Sequence, residues 1–278
     1  MSTKKILEFS SSGPSIFCQF LQHLAKQHGW DLQYECHSDF SLELLQNFDI
    51  AKVDMSFSEE ILTLMHVQPT LVRTVRCLDS LIFEDGKWYP RLLLHEALRR
   101  VLVDNARDLD IRVPAFVIGE SEVARTVASV FAEVGFGEIY VVGQSAEKLS
   151  AQMEILKRGH FGIQFHQLLE DELTIQSLSS SIIVNTVDLT NDKTLLNDLS
   201  YFNFMKRDGY ALDLNLLPFQ NPLLEEAERA DLRVLHPYIV SAFLTELWLE
   251  KLQMGTSLKV EELRESWKSF LKEISPSV

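Results

Sequence analysis

The chain has 278 residues, 46% of them hydrophobic and 24% charged, the balance of a folded globular protein of about two domains. Its 26 Lys and Arg stand against 40 Asp and Glu, a formal charge of −14. That excess argues against a nucleic-acid or anionic-membrane partner, since both need a cationic face. No apolar run reaches the length of a spanning helix, and the start at Met1 lacks the apolar core of a leader, so a cytoplasmic location is expected.

Three cysteines, Cys18, Cys36 and Cys77, are widely spaced, and the eight histidines form no H-E-x-x-H pair or tight cluster. Neither a disulfide framework nor a metal site is expected.

In chain order, Ile6–Phe9 reads as a buried strand. Pro14 opens a helix with Ile16, Phe17, Phe20, Leu21 and Leu24 at helical spacing, stopped by Gly29. Leu32–Cys36 alternates as a strand, Phe40–Gln46 reads as a short helix, and Ile50–Met55 as a strand. Ser58 is placed as the cap of a helix carrying Ile61, Leu62 and Met65. Leu78–Phe83 and Lys87–Tyr89 flank Glu84-Asp85-Gly86, a hairpin signal, and a long helix follows from Leu92 to Ala106.

Pro114 marks a change of rhythm. Ala115–Ile118 is an apolar run ending at Gly119. The next helix carries Val123, Val127, Val130, Phe131 and Val134, and a second apolar run covers Ile139–Val142. Strand, turn, helix and strand in so short a stretch are the signature of a parallel βαβ unit. Ile182–Val184, Tyr210–Leu214 and Arg233–Leu235 continue the sheet. Two helices, Ile239–Leu252 and Val260–Ile274, close the chain.

A βαβ unit that binds a dinucleotide needs a glycine-rich first turn, so that backbone amides can approach the pyrophosphate. Here the turn reads Gly119-Glu120-Ser121-Glu122-Val123-Ala124. One glycine remains, and two carboxylates stand where phosphates would sit. Acidic residues at a helix start also suit the helix dipole, which favours a plain strand-to-helix turn. After the second strand, Gln144 is neither the acid that would hold a ribose nor the arginine that would hold a 2′-phosphate. Lys148 is in reach of a phosphate, although a solvated helix lysine is the plainer role.

The order of segments resembles the shikimate dehydrogenase family along nearly the whole chain. Residues 53–59, from Val53 to Glu59, are similar to the family's V-T-I-P-H-K-E. Residues 77–80, with the hairpin after them, are similar to A-V-N-T. Gly119–Ala128 is similar to G-A-G-G-A-A-R-A-V-A, and Gly143–Lys148 to N-R-T-x-x-K. Val184-Asn185-Thr186 resembles I-N-A/T-T-P. Asp213–Pro218 with Asn221–Leu224 resembles D-x-x-Y-N-P and T-P-L-L, and Glu246-Leu247-Trp248 resembles E-L-W. The resemblance implies a two-domain α/β fold. An N-terminal substrate-type domain, residues 1–108 completed by helices in 237–278, joins a Rossmann-like NAD(P)-binding-type domain at 109–236. It implies NADP-dependent reduction of 3-dehydroshikimate in an interdomain cleft, a step of aromatic amino acid biosynthesis that uses a lysine–aspartate pair.

The departures fall on the positions that carry this chemistry. The family's lysine position is Ser58, which has no charge to donate a proton or stabilise an oxyanion. Met55–Met65 holds no Lys or Arg, and Tyr89–His95 holds no carboxylate. The substrate asparagine and threonine positions are Asp79 and Asp54, and the tyrosine position is Leu216. The family's glutamine segment is shortened to His236–Val240. Ser10 and Ser12 match the carboxylate-holding serine pair, or form an ordinary turn. Gly119, Glu120, Ser121, Lys148, Asn185 and Thr186 are the cofactor-binding positions if NADP is retained; Ser10, Ser12, Asp54, Asp79 and Asp213 are the cleft positions.

The first expectation is therefore a non-catalytic homologue, a pseudoenzyme, or a protein with an altered small-molecule ligand, and no assured cofactor. The alternative is an NADP-dependent shikimate- or quinate-type oxidoreductase with rearranged residues. A scaffold with a vestigial cleft is a third. The acidic replacements favour a neutral or cationic ligand over a carboxylate. A homodimer is left open. His95 is expected on a solvated helix face, and Asp54 with Asp79 as solvated acids rather than a cation site. No G-x-S-x-G elbow supports a hydrolase.

Overall fold

A computed structural model describes residues 3–176, 179–190, 192–255 and 258–275. The chain divides into two compact units, Met1–Ala97 with Ser241–Phe270, and Leu98–Val240 with Leu271–Val278.

The first unit opens with β1 (Lys4–Phe9), whose Ile6, Leu7, Glu8 and Phe9 are all buried. Ser15 caps α1 (Ile16–His28) by accepting from the Cys18 N–H, and Gly29 ends it at φ 65°. β2 (Leu32–His37) follows. The helix expected at Phe40–Gln46 is only a 3₁₀ turn at Leu44–Asn47, because Leu45 alone is buried there and no apolar stripe holds a longer helix.

β3 (Ile50–Val53) stops short of Met55. Asp54 turns the chain by accepting from the Ser56 N–H at 3.0 Å. α2 (Ser58–Leu64) begins at Ser58, whose hydroxyl caps nothing; the expected N-cap is overturned. A short α3 (Thr70–Val75) is not legible in the pattern. β4 (Ser80–Glu84) and β5 (Lys87–Arg91) form the hairpin. Asp85 and Gly86 both take positive φ, 49° and 76°, which suits the right-handed twist of paired strands. α4 (Leu93–Asn105) follows. The sheet order is β2-β1-β3-β4-β5, parallel through β3 and antiparallel beyond.

The second unit alternates strand and helix: β6 (Ala115–Ile118), α5 (Glu122–Val134), β7 (Glu138–Gly143), α6 (Ala146–Gly159), β8 (Gln164–Leu169), β9 (Ser180–Asn185), α7 (Lys193–Ser200), β10 (Met205–Asp213), α8 (Pro222–Arg229) and β11 (Arg233–Leu235). The six strands are parallel in the order β11-β10-β9-β6-β7-β8. β6 and β9 are buried along their whole length, as expected for central strands covered on both faces. The order reverses between β6 and β9, the switch point at which open α/β sheets hold ligands.

α9 (Pro237–Leu252) and α10 (Val260–Ile274) end the chain. In the first unit they bring Trp248 and Trp267 onto Phe17 and Phe20 of α1, with Phe20 and Trp267 stacked at 3.8 Å. The buried Trp267 indole donates to Thr245 Oγ1 at 2.9 Å. Among the described residues no helix is long and apolar enough to cross a membrane.

Candidate functional site

Gly119 leaves β6 at φ 130° and sits against Thr186 at the end of β9. A Cβ there would overlap Thr186 Oγ1, which itself donates to the Ile118 carbonyl at 2.7 Å. The glycine is retained because the two strand ends close on each other.

Glu120 does not project into open space. Its Oε2 accepts from the Ser145 N–H at 2.8 Å, at the start of α6, and its Oε1 lies 3.1 Å from Lys148 Nζ. The carboxylate covers Gly143 so closely that a Cβ there would stand 2.8 Å from it. The Glu120 carbonyl accepts from Gln152 Nε2 at 3.0 Å, and Gln152 Oε1 accepts from the buried Arg125 at 2.6 Å. Burial pushes the Glu120 carboxyl up, but the Ser145 N–H and the Lys148 ammonium outweigh it and hold it below the ordinary carboxylate value. Lys148, expected as a plain solvated lysine, is exposed but paired with this carboxylate. Ser121 is exposed and begins α5 without a side-chain cap.

Asn185, Asp213 and their neighbours form a closed network. Asp213 is 2% exposed. Its Oδ1 accepts from the Asn215 backbone N–H (2.9 Å) and side-chain amide (2.7 Å), its Oδ2 from the Asn185 and Asn221 amides, both at 3.0 Å. Four donors fill the acceptor sites of a carboxylate. Burial is the largest influence on Asp213 and raises its carboxyl despite these bonds.

In the first unit, Ser58 is fully buried. Its hydroxyl accepts from the Leu78 N–H at 3.1 Å and faces the Leu78 carbonyl at 3.3 Å. Asp79 is only 8% exposed, which overturns the solvated acid expected there: it accepts from the Leu93 and Leu94 N–H groups at the start of α4 and from Ser80 Oγ. Burial raises its carboxyl above the ordinary value, against those bonds. A carboxylate already filled by a helix start no longer argues for a cationic ligand. Asp54 is committed to its turn. Ser10 is buried and its Oγ lies 3.2 Å from that of the exposed Ser12. His95 is 2% exposed, which overturns the solvated face expected for it; α4 turns that side inward, with Leu98 and Leu102 buried on the same face.

The pattern missed one constellation. Glu8 on β1 is paired in register with Lys52 on β3, and Lys52 Nζ lies 3.4 Å from the buried Glu8 Oε1. Glu8 Oε2 accepts from the Ser15 N–H at 3.1 Å and from the Tyr34 hydroxyl. Burial pushes Glu8 up, and Lys52, Ser15 and Tyr34 together bring it below the ordinary value. A single Glu inside an apolar strand and a lone Lys two residues before Asp54 give no periodic signal; only the register joins them.

The first βα turn does not fit a dinucleotide phosphate. Its nearby ammonium and the Ser145 amide are taken by Glu120, and no second glycine opens the backbone.

No family model matches the chain, and no curated protein matches it in sequence. Solved structures do match in fold. A chorismate mutase/shikimate 5-dehydrogenase fusion protein from Clostridium acetobutylicum superposes with a TM-score of 0.77 at 14% identity, covering 100% of both chains. Shikimate 5-dehydrogenase from Thermus thermophilus, in complex with NADP(H) and shikimate, gives 0.71 at 17% identity, over 97% of this chain and 100% of that one. The 5-ketofructose reductase of Gluconobacter sp. strain CHM43 gives 0.74 at 12% identity, over 97% and 99%. Proteins named for different substrates share this architecture, so the likeness speaks to scaffold and not to chemistry. The chain has the two-domain α/β fold of the shikimate dehydrogenases.

Proposed function

We propose that this chain is a divergent shikimate-dehydrogenase-like protein that does not run the nucleotide-dependent reduction and uses its fold to bind a different small molecule. One observation carries the reading: Glu120 supplies, from within the chain, the anion that the Ser145 amide and Lys148 would otherwise meet in a nucleotide phosphate. A second anion brought there meets a carboxylate and no unpaired cation. The positions that match the family's lysine and its substrate asparagine support it. Ser58 is consumed by the Leu78 backbone, and Asp79 by the start of α4.

The second reading, an NAD(P)-dependent oxidoreductase with rearranged residues, is favoured by the Lys52–Glu8 pair, which sets an ammonium beside a carboxylate near the end of a parallel strand. Titration with NADPH and NADH, followed by nucleotide fluorescence at low ionic strength, separates the two. The wild-type chain is expected to show no saturable binding up to millimolar nucleotide, and Glu120→Gly to gain it. Saturable micromolar binding by the wild type overturns the proposal and directs attention to Lys52→Met in dehydrogenase assays.

A further inference from the structure

Where β9 and β10 end, the second unit holds a cavity of about 240 Å³, lined from the segments that lead into α7 and α8. It lies one strand along from the switch point between β6 and β9. Three features meet there.

The first is the wall. Leu189, Leu196, Leu217, Pro218, Pro222 and Leu223 are half of its lining residues. Leu189 and Leu223 belong to the buried core of the unit and Leu196 packs against it, so the wall continues that core. Leu196, Leu217 and Pro218 are only half-buried. Apolar surface left open beside a core is covered favourably by an apolar molecule.

The second is the state of the polar groups. Asp213 holds its four donors, Asn221 Oδ1 accepts from the Leu224 N–H at 3.1 Å, and the Thr190 N–H donates to Asp188 at 2.9 Å. Among the described lining residues no buried polar atom lacks a partner. Outside the Asp213 network the lining carries one carboxylate, Asp188, and one ammonium, Lys193, both exposed. Opposite charges in solvent select neither an anion nor a cation.

The third is rigidity. The Asn215 side-chain amide donates to the Val187 carbonyl at 2.7 Å, and the Asn185 amide reaches the same carbonyl at 2.8 Å. The segment after β10 is thereby tied to the segment after β9. Walls pinned in this way do not collapse to hide their apolar surface.

Size sets the rest. An apolar cavity of about 150 Å³ accepts benzene, so one of about 240 Å³ has room for a second fused ring. We propose that this cavity binds a neutral, planar, mainly apolar two-ring molecule, with Leu196, Leu217 and Leu223 as its apolar contacts. It is the seat of the different small molecule proposed above, and the assignment rests on that reading.

The test is calorimetric titration of the full chain with indole, a neutral two-ring probe. Indole-3-acetate and tryptamine, the same ring with a negative or a positive charge, are titrated in parallel. Saturable one-site binding of indole is expected, about tenfold tighter than either analogue, because each brings an unanswered charge to the wall. Leu196→Gln and Leu217→Gln should each weaken it about tenfold, the worth of one leucine's apolar contact. Leu64→Gln, at an exposed position of the first unit, should leave it unchanged. Leu217 is half-buried outside any helix or strand, so its variant keeps the test open if Leu196→Gln folds poorly. No saturable binding of indole, equal or tighter binding of a charged analogue, or binding that neither leucine variant moves overturns the assignment. Adding NADPH to the indole complex tells its failure from that of the reading beneath it. NADPH that binds without displacing indole refutes the non-nucleotide reading and leaves the cavity as a separate site. NADPH that displaces indole refutes both, and failure of both indole and NADPH to bind refutes the cavity alone.

Discussion

Two carboxylates at the strand-end edge of one sheet have opposite surroundings. Asp213 is 2% exposed and is held by four amide donors with no cation. Glu120 keeps a fifth of its side chain exposed and is held by one backbone N–H and an ammonium. Burial dominates the first and raises its carboxyl; charge and hydrogen bonding dominate the second and lower it. A carboxylate locked by neutral donors in the interior pins loops together. One paired at the rim occupies a place that another anion can compete for. The same side-chain chemistry thus serves architecture at one strand end and, on the proposed reading, ligand exclusion at another.

The comparison breaks most visibly at Asp213. Asp213→Ala leaves the amides of Asn185, Asn215 and Asn221 without their acceptor and should cost about 3–4 kcal/mol, measured by the shift of the urea midpoint at unchanged slope. A loss under about 1 kcal/mol would show that Asp213 is not the pin. The pH sign follows from its raised carboxyl. The unfolded chain ionises first, near the ordinary 3.8, so stability falls as pH rises from there through the folded value, and Asp213→Asn removes that slope.

Gly119 is next. A Cβ overlapping Thr186 Oγ1, on a backbone at φ 130°, should make Gly119→Ala cost about 2–3 kcal/mol in thermal or urea unfolding. Adding Thr186→Ala should return only the steric part; complete recovery would mean the backbone carries no strain. In the first unit, Ser58→Ala removes the hydroxyl that accepts the buried Leu78 N–H. It should cost about 1–2 kcal/mol. An unchanged unfolding midpoint would free Ser58 for a role other than holding that segment.

The framework is legible because apolar runs, Gly29 and the Asp85-Gly86 turn report backbone geometry directly. α3 and the 3₁₀ turn at Leu44–Asn47 are not, because each is one or two turns held by tertiary contacts. The charge reversal at Glu120 is visible in the turn itself. Its partner is not: the sequence separates Glu120 from Ser145 and Lys148 by a helix and a strand, and only the parallel packing of β6 and β7 brings them together. Asp79 reads as free because a helix start fourteen residues on, at Leu93, leaves no local mark at Asp79 itself. Glu8 and Lys52 likewise meet only through strand register.

The smallest effect on stability belongs to Glu120. Lys148 is 68% exposed, so solvent screens the pair and Glu120→Gln should cost less than about 1 kcal/mol near neutral pH. The lowered carboxyl fixes the direction with pH. The contribution is present above the ordinary 4.5 and is lost as pH falls through the lower folded value, so wild type and variant converge in acid. Asp213 behaves oppositely over its own window, because its penalty is relieved in acid. Urea unfolding of Glu120→Gln and Asp213→Asn across acid pH should therefore give gaps to wild type that move in opposite directions. Parallel movement would mean that the two carboxylates share one role, and that Glu120 is a structural pin rather than an occupant of an anion site.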